Sequence, residues 1–210
     1  MKNTVSIPKT VKRIKTIEPK NRKQREFLSA IADYPVVFAT GAAGSGKTFL
    51  AAFKALESLS YDFVSRIVIV RPIVATEDLG YLPGDMKEKI DPYLLPLMDA
   101  FNSISNPKTV AEMREDGSIE VAALAFMRGR TFSDCFLILD EAQNTTVAQM
   151  EMFLTRFGEN VKVVITGDTS QSDIQGKNGL QWAIETLKEC KSIAHVQYEG
   201  KDVVRSSLVR

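Results

Sequence analysis

The stretch GAAGSGKT at residues 41–48 constrains the fold more than any other feature of this 210-residue chain. It follows the short apolar run PVVFAT and leads into the helix-forming stretch KTFLAAFKALESL. The pattern G-x-x-x-x-G-K-[ST] between a strand and a helix is typical of a P-loop. Its glycines let backbone N–H groups turn inward around phosphate oxygens, and the following helix offers its N-terminal dipole to the same anion. A glycine-rich turn that binds no ligand is the alternative.

The P-loop pattern predicts a nucleoside triphosphate and Mg²⁺, with ATP and Mg²⁺ as the expected cofactors. Lys47 supplies a positive charge for the β- and γ-phosphates, and the hydroxyl of Thr48 is a ligand for Mg²⁺. The predicted cofactor-binding residues of the loop are Gly41, Ala42, Ala43, Gly44, Ser45, Gly46, Lys47, Thr48 and Phe49.

Strands and helices alternate along the remainder of the chain. Apolar stretches such as RIVIVRP, FLILD, VKVVITG and IAHVQY are expected to be strands, and helix-forming segments separate them. Several strands are apolar on both faces, which predicts an α/β fold with a parallel sheet covered by helices on both sides. One domain over residues 20–210 is expected after a basic arm over residues 1–19. The helix DMKEKIDPYLLPLMDAFNSI is expected to be interrupted near Pro92 or Pro96.

Two adjacent carboxylates, Asp140 and Glu141, end the apolar stretch FLILD. Beside a P-loop, a carboxylate at the end of a strand is suited to bind Mg²⁺, which makes Asp140 a metal candidate with Thr48. Glu141 is then placed to orient and deprotonate an attacking water molecule. An ordinary helix start, where acidic residues are also favoured, is the alternative for this pair.

Two glutamines are further candidates. Gln171 follows a strand in VKVVITGDTSQSD, where its amide could contact the γ-phosphate or the water, although GD also forms ordinary turns. Gln24 precedes the P-loop strand, and a glutamine amide can read the N6 and N7 atoms of adenine together. An exposed, solvated glutamine is the alternative for Gln24.

Charge is unevenly distributed. Residues 1–25 contain nine basic groups and one acidic group, which leaves 18 basic and 25 acidic groups in the rest of the chain. A basic arm can bind a nucleic-acid backbone, but it can equally be a solvated tail or pack on an acidic neighbour.

The two cysteines, Cys135 and Cys190, are expected to be buried reduced thiols of a cytoplasmic protein. No signal peptide or membrane span is expected.

Six stretches in this order resemble the PhoH-like ATPase family: GAAGSGKT, RPIVATEDLGYLPGDMKEKIDPYLLPL, IEVAALAFMRGRTF, ILDEAQNTTVAQMEMFLTRFG, VVITGDTSQSD and DVVRSSLV. The family is similar to the first RecA-like core of superfamily 1 helicases. The resemblance implies catalytic roles for Lys47, Glu141 and Gln171, and a γ-phosphate contact for Gln143. The sequence departs from the family's pattern at Ala42–Ala43, where members often have a proline, and at Ser206–Ser207, where many members have the dipeptide HP.

A superfamily 1 helicase uses an arginine from a second core, and these 210 residues are not expected to contain one. The hypothesis is that a neighbouring subunit supplies it in a head-to-tail ring, with a hexamer favoured. Arg205 is the first candidate and Arg130 the second, followed by Arg128 and Arg71. Single-stranded RNA, or else DNA, is the expected polymer. A nucleotide-switched RNA-binding or assembly factor with slow hydrolysis, and a P-loop kinase, are the alternatives.

Overall fold

A computed structural model describes residues 14–72, 86–174 and 176–204, and for residues 86–94 it describes the backbone only. Within these ranges, six parallel strands form one sheet in the order β3-β2-β4-β5-β1-β6. They are β1 (Val36–Thr40), β2 (Arg66–Arg71), β3 (Ile119–Ala123), β4 (Cys135–Leu139), β5 (Val161–Gly167) and β6 (Ile193–Gln197). The parallel sheet expected from the sequence is therefore confirmed.

Six α-helices cover the sheet within the described residues: α1 (Arg22–Asp33), α2 (Lys47–Ser60), α3 (Met86–Ile104), α4 (Pro107–Glu115), α5 (Val147–Leu154) and α6 (Gly179–Leu187). Neighbouring residues of a strand point to opposite faces. Ile67 and Ile69 of β2 pack into the core beneath α1 to α4, whereas Val68 and Val70 pack into a second core beneath α5 and α6. Helices therefore lie on both faces, as predicted.

The order of the strands determines which loops meet. β5 lies between β1, which carries the P-loop, and β4, which carries the two carboxylates. Since all three strands are parallel, their carboxyl ends lie at the same edge of the sheet, where ligands bind in folds of this class. The P-loop, the stretch after Leu139 and the stretch after Gly167 thus converge on one site.

One expected helix break does not occur. α3 continues through Pro92 and Pro96, although each proline removes one backbone donor from the helix. The second half of α3 buries Leu97, Phe101 and Ile104 in the core against α2. This burial compensates for the missing hydrogen bonds, and the predicted interruption was wrong.

Three further expectations change in detail. The strand expected over residues 119–126 ends at Ala123 and continues as a 3₁₀ helix over Leu124–Met127. Cys135 is buried as expected, but Cys190 is exposed because it follows the end of α6 at the surface. The last part of the basic arm packs on the domain, since the backbone N–H of Lys15 donates to the carbonyl of Ile104. Residues 1–13 of that arm lie outside the described residues.

Within the described part of the chain, no helix has the length and apolar character to cross a membrane.

Candidate active site

A cleft of about 470 Å³ lies at the carboxyl edge of the sheet. The P-loop forms its floor, the ends of β4 and β5 form one side, and one face of α3 forms the other. The lining residues are Ala43, Gly44, Gly46, Lys47, Thr48, Phe49, Pro96, Asp99, Ala100, Ser103, Asp140, Glu141, Gly167, Asp168 and Gln171. The structure thus brings most of the predicted site residues into a single cavity.

The backbone of the P-loop requires glycine at two positions in particular. Gly46 is the N-cap of α2 with a φ of 91°, and it forms no side-chain cap, so the first N–H groups of α2 are not covered by a capping side chain. At Gly41, with a φ of 126°, a Cβ atom would overlap the carbonyl oxygen of Tyr198. Left-handed geometry and close packing therefore give the loop its curled shape.

Lys47 is buried, with 8% of its surface exposed. Its ammonium group donates to the carbonyl oxygens of Gly41 at 2.5 Å and Ala42 at 2.9 Å, and to Ser45 Oγ at 3.2 Å. Burial lowers its pKa, while the nearby carboxylates of Asp168, Asp140 and Glu141 oppose that shift in decreasing order. The positive charge is therefore held inside the loop and is surrounded by anionic groups.

Asp140 connects the P-loop helix to the sheet. Its Oδ1 accepts hydrogen bonds from Thr48 Oγ1 at 2.9 Å and from Thr166 Oγ1 at 2.6 Å. Asp140 is 5% exposed. Three elements, α2, β4 and β5, therefore determine where this carboxylate lies.

The donor set at Thr48 and Asp140 fits Mg²⁺. A hydroxyl oxygen and a carboxylate oxygen are hard ligands, and Mg²⁺ commonly binds one or two protein carboxylates together with phosphate oxygens and water. Among the residues described, no group of three or more His, Cys, Asp or Glu side chains could hold a metal alone. The site therefore suits a cation that arrives with phosphate oxygens.

Glu141 has a left-handed backbone, with a φ of 56°, at the point where β4 ends. Such geometry is uncommon for a residue with a side chain and occurs frequently at functional sites. Its Oε2 accepts a hydrogen bond of 2.6 Å from Gln143 Nε2, and its Oε1 lies 3.7 Å from Arg71 Nη2. The turn directs a half-exposed carboxylate into the cleft that Thr48 and Asp140 also line.

Gln143 joins two of the converging stretches. Its Nε2 donates to Glu141, and its Oε1 accepts a hydrogen bond of 3.0 Å from the backbone N–H of Asp168. Gln143 is only 3% exposed. A Cβ atom at Gly167 would lie 2.7 Å from Gln143 Oε1, so glycine is needed for this approach. The amide therefore links the carboxylate after β4 to the loop after β5.

Asp168 was not predicted as a site residue, although its motif was recognised. It is buried against the cleft, where its Oδ1 accepts from Ser170 N at 3.0 Å and from Ser170 Oγ. Its Oδ2 is buried and has no hydrogen-bond partner. The predicted residue Gln171 is exposed at the rim, with its backbone N–H bonded to Asp168 O. Only the GD dipeptide could have signalled Asp168, and that dipeptide also marks ordinary turns.

The wall formed by α3 was also absent from the sequence prediction. Pro96, Asp99, Ala100 and Ser103 recur at helical spacing, which places them on one face of the helix toward the cleft. Lys15 Nζ donates to the carbonyl oxygen of Ser103 at 2.7 Å, so the arm contacts the same wall. Spacing shows that these residues share a face of the helix. It does not show that this face lines a cleft, because that depends on how α3 packs in the fold.

Gln24 lies behind the P-loop and is 4% exposed. Its Nε2 donates to the carbonyl oxygen of Ser45 at 3.0 Å, and its Oε1 accepts from the backbone N–H of Lys20 at 2.7 Å. The exposed, solvated glutamine considered from the sequence is therefore not what the structure contains. Gln24 contacts the backbone of the loop and is not among the residues that line the cleft.

The candidate arginines occupy different places. Arg205 lies outside the described residues. Arg130 pairs with Glu120 at 2.5 Å and stacks over Phe132, with its guanidinium carbon 4.7 Å from the ring centroid. Arg128 is exposed beyond the 3₁₀ helix that follows β3. Arg71 faces the cleft residue Glu141.

Comparison with known proteins identifies the family. The profile described as PhoH-like protein matches residues 16–210. This chain belongs to the PhoH-like family. The PhoH-like protein of Mycobacterium leprae is 48% identical over 202 residues, which cover 95% of this chain and 58% of that protein. The PhoH-like protein of Bacillus subtilis is 48% identical over 198 residues, covering 93% and 62%, and Protein PhoH of Escherichia coli K12 is 44% identical over 194 residues, covering 90% and 55%.

The chain thus spans a little over half the length of these PhoH-like relatives. Among solved structures, the helicase domain of Pyrococcus furiosus Hef matches with a TM-score of 0.50 and 13% identity, covering 86% of this chain and 38% of that one. At this identity the likeness concerns the fold. It confirms the expected RecA-like P-loop NTPase architecture, and the family predicted from the sequence is confirmed as well.

Proposed function

We propose that this PhoH-like chain hydrolyses ATP in a Mg²⁺-dependent reaction at the cleft. The observation that carries the proposal is the hydrogen bond from Thr48 to Asp140, because it places a P-loop hydroxyl and a strand-end carboxylate together as two oxygen ligands. Mg²⁺ bound by these residues would neutralise charge on the β- and γ-phosphates. The P-loop N–H groups and Lys47 would bind the same phosphates.

The residues beside the metal ligands determine what attacks the phosphate. Glu141 projects a carboxylate into the cleft and is suited to accept a proton from a water molecule. Gln143 fixes one oxygen of this carboxylate, and Gln171 lies at the rim where an amide can contact the γ-phosphate. This arrangement favours water as the nucleophile over the hydroxyl group of a second substrate, and therefore hydrolysis over kinase chemistry.

The proposal includes a homo-oligomeric ring that acts on nucleic acid, with single-stranded RNA favoured. Its support is the basic segment over residues 1–25, together with a fold shared with the helicase domain of Hef. A neighbouring subunit would supply the arginine that stabilises the transition state, and Arg205 is the first candidate. Arg130, the second candidate, already pairs with Glu120 in its own chain, which makes it less available than Arg205.

A specific observation favours a second candidate function, a nucleotide-switched RNA-binding or assembly factor with slow hydrolysis. Glu141 is hydrogen bonded to Gln143 and faces Arg71, so both of its oxygens are directed toward protein groups. These contacts compete with a water molecule for the same oxygens, and their release would leave the carboxylate free to accept a proton. If that release is slow without a partner, nucleotide binding would outlast hydrolysis.

The test is phosphate release from ATP by size-fractionated protein, with and without Mg²⁺ and single-stranded RNA. The proposal predicts release that requires Mg²⁺ and increases in the oligomeric fraction when RNA is added. Slow release that RNA does not change would favour the second candidate. For the arginine, Arg205→Ala protein is mixed with Lys47→Ala protein: activity recovered in mixed rings supports action between subunits, and none recovered in intact rings contradicts it.

A further inference from the structure

Both polar atoms of the Gln24 amide form hydrogen bonds with the protein backbone. Nε2 donates to Ser45 O and Oε1 accepts from Lys20 N, within a buried environment. The amide also lies directly against the loop, because a Cβ atom at Gly46 would be 2.9 Å from Nε2. One N–H and one lone pair of the amide remain free, but the side chain is 4% exposed and is not among the residues that line the cleft, so paired contacts to a base would require it to move.

The hydrogen bond to Ser45 O fixes the direction of a phosphate-binding group. The peptide that joins Ser45 to Gly46 is planar and trans, so its carbonyl and its N–H point in opposite directions. Because Gln24 bonds to this carbonyl, the N–H of Gly46 points away from Gln24, and Gly46 itself lines the cleft. Gln24 thus orients an N–H dipole without touching the cleft itself.

The preceding peptide of the loop is held in the same way. The backbone N–H of Val204 donates to Gly44 O at 3.1 Å, so the N–H of Ser45 in the same trans peptide points away from Val204. Val204 belongs to a segment over residues 198–204 that follows β6, and Asn21 Nδ2 donates to Asp202 O within it at 3.0 Å. Two consecutive carbonyls are therefore bonded from behind by elements far apart in sequence.

We propose that Gln24 and the N–H of Val204 are positioning groups that set the affinity of the P-loop for phosphate, and that Gln24 does not read the base. This inference rests on the proposed binding of a nucleoside triphosphate. It predicts that binding depends on the polyphosphate far more than on the base. Ligands with adenine, with guanine and with no base should all lose the same factor when either positioning group is removed.

The experiment measures dissociation constants by titration calorimetry for the β,γ-imido analogues of ATP and GTP and for inorganic tripolyphosphate. Gln24→Ala is compared with the wild type and with Ser29→Ala, an exposed substitution on the same helix. The expected result is a loss of about tenfold for all three ligands, the effect of one hydrogen bond of ordinary strength. Ser29→Ala should bind like the wild type.

A loss confined to the ATP analogue would show that Gln24 reads adenine, and it would overturn the inference, as would unchanged binding of all three ligands. A second pair of variants tests the inference if Gln24→Ala fails to fold. Val204→Pro removes the N–H, and the extended backbone of Val203 accommodates a following proline, whereas Val204→Ala keeps the N–H. Only the proline variant should lose affinity, again equally for the three ligands. A folded wild type that binds none of them contradicts the proposed function itself.

Discussion

Thr48 Oγ1 and Asp140 Oδ1 are joined by a hydrogen bond of 2.9 Å, although 92 residues separate them in the chain. Thr48 is the second residue of the helix after β1, Asp140 directly follows β4, and β5 lies between those two strands. Thr166 at the end of β5 donates to the same oxygen. The contact therefore depends on three strands ending at the same level, which makes it a sensitive point for substitution.

The first prediction concerns metal affinity. Thr166→Val removes a hydrogen bond that orients Asp140 without removing a ligand, so the Mg²⁺ concentration for half-maximal ATP hydrolysis should rise about tenfold. Asp140→Asn should raise it further, because it removes the charged ligand. A Mg²⁺ titration of both variants measures this. Equal Mg²⁺ requirements in Thr166→Val and the wild type would show that the hydroxyl does not position the carboxylate.

The second prediction separates binding from chemistry. Glu141→Gln keeps the size of the side chain but removes the base, so hydrolysis should fall by about 10² to 10⁴ while nucleotide affinity changes little. Glu151→Gln, an exposed substitution on α5, is the matched control and should hydrolyse ATP like the wild type. Phosphate release and calorimetric titration are measured on both variants. Wild-type turnover in Glu141→Gln would exclude Glu141 as the base.

A third prediction uses the close approach at Gly167. Gly167→Ala would place a Cβ atom 2.7 Å from Gln143 Oε1 and 2.6 Å from Leu180 Cδ2, so the amide must move away from Glu141. We expect kcat to fall at least tenfold with a smaller change in KM for ATP, because the three nearest contacts of the added Cβ atom are on Leu180 and Gln143 and none is on the P-loop. At Gly200, by contrast, a Cβ atom meets nothing within 4 Å, and Gly200→Ala should be silent. If both variants behave alike, the Gln143 contact is unimportant for turnover.

The two thiols should differ in reactivity. Burial raises the pKa of the Cys135 thiol to about 11, so this thiol stays protonated at pH 8, whereas Cys190 is exposed. One thiol should react rapidly with a disulfide reagent in the native protein, and the second only after unfolding. Cys190→Ser should abolish the rapid phase, and a rapid phase that persists would contradict the assignment.

The raised pKa of Cys135 also has a consequence for stability. Because the fold favours the protonated thiol, its contribution is complete below the pKa of 9.0 for an unperturbed thiol and is lost as the pH rises through about 11. The free energy of unfolding, measured by denaturant titration, should therefore decline over that alkaline range. Cys135→Ala should remove this part of the pH dependence.

The sequence predicted the features that local residues determine. The P-loop from Gly41 to Thr48, the apolar strands and the strand-end carboxylates all depend on short motifs, and the parallel sheet follows from their order. The interruption expected near Pro92 or Pro96 was wrong because buried residues later in α3 outweigh a local preference. Gln24 illustrates the other limit, since its role depends on a carbonyl 21 residues away.

The burial of Asp168 and the contact of Val204 with Gly44 were likewise beyond sequence reasoning. Both arise where separate parts of the chain meet over the sheet edge, and neither has a motif of its own. Pattern and composition describe which side chains a segment offers. They do not describe which backbone groups of the P-loop those segments will contact.

The most direct test of the central claim is ATP turnover in ¹⁸O-labelled water. The wild-type chain with Mg²⁺ should release ADP and phosphate in equal amounts, with one ¹⁸O atom in each phosphate, and Glu141→Gln should release almost none. This result would show that water attacks the γ-phosphate with the help of Glu141. A folded wild type that binds ATP and Mg²⁺ yet releases no labelled phosphate, or equal release by Glu141→Gln, would contradict the account.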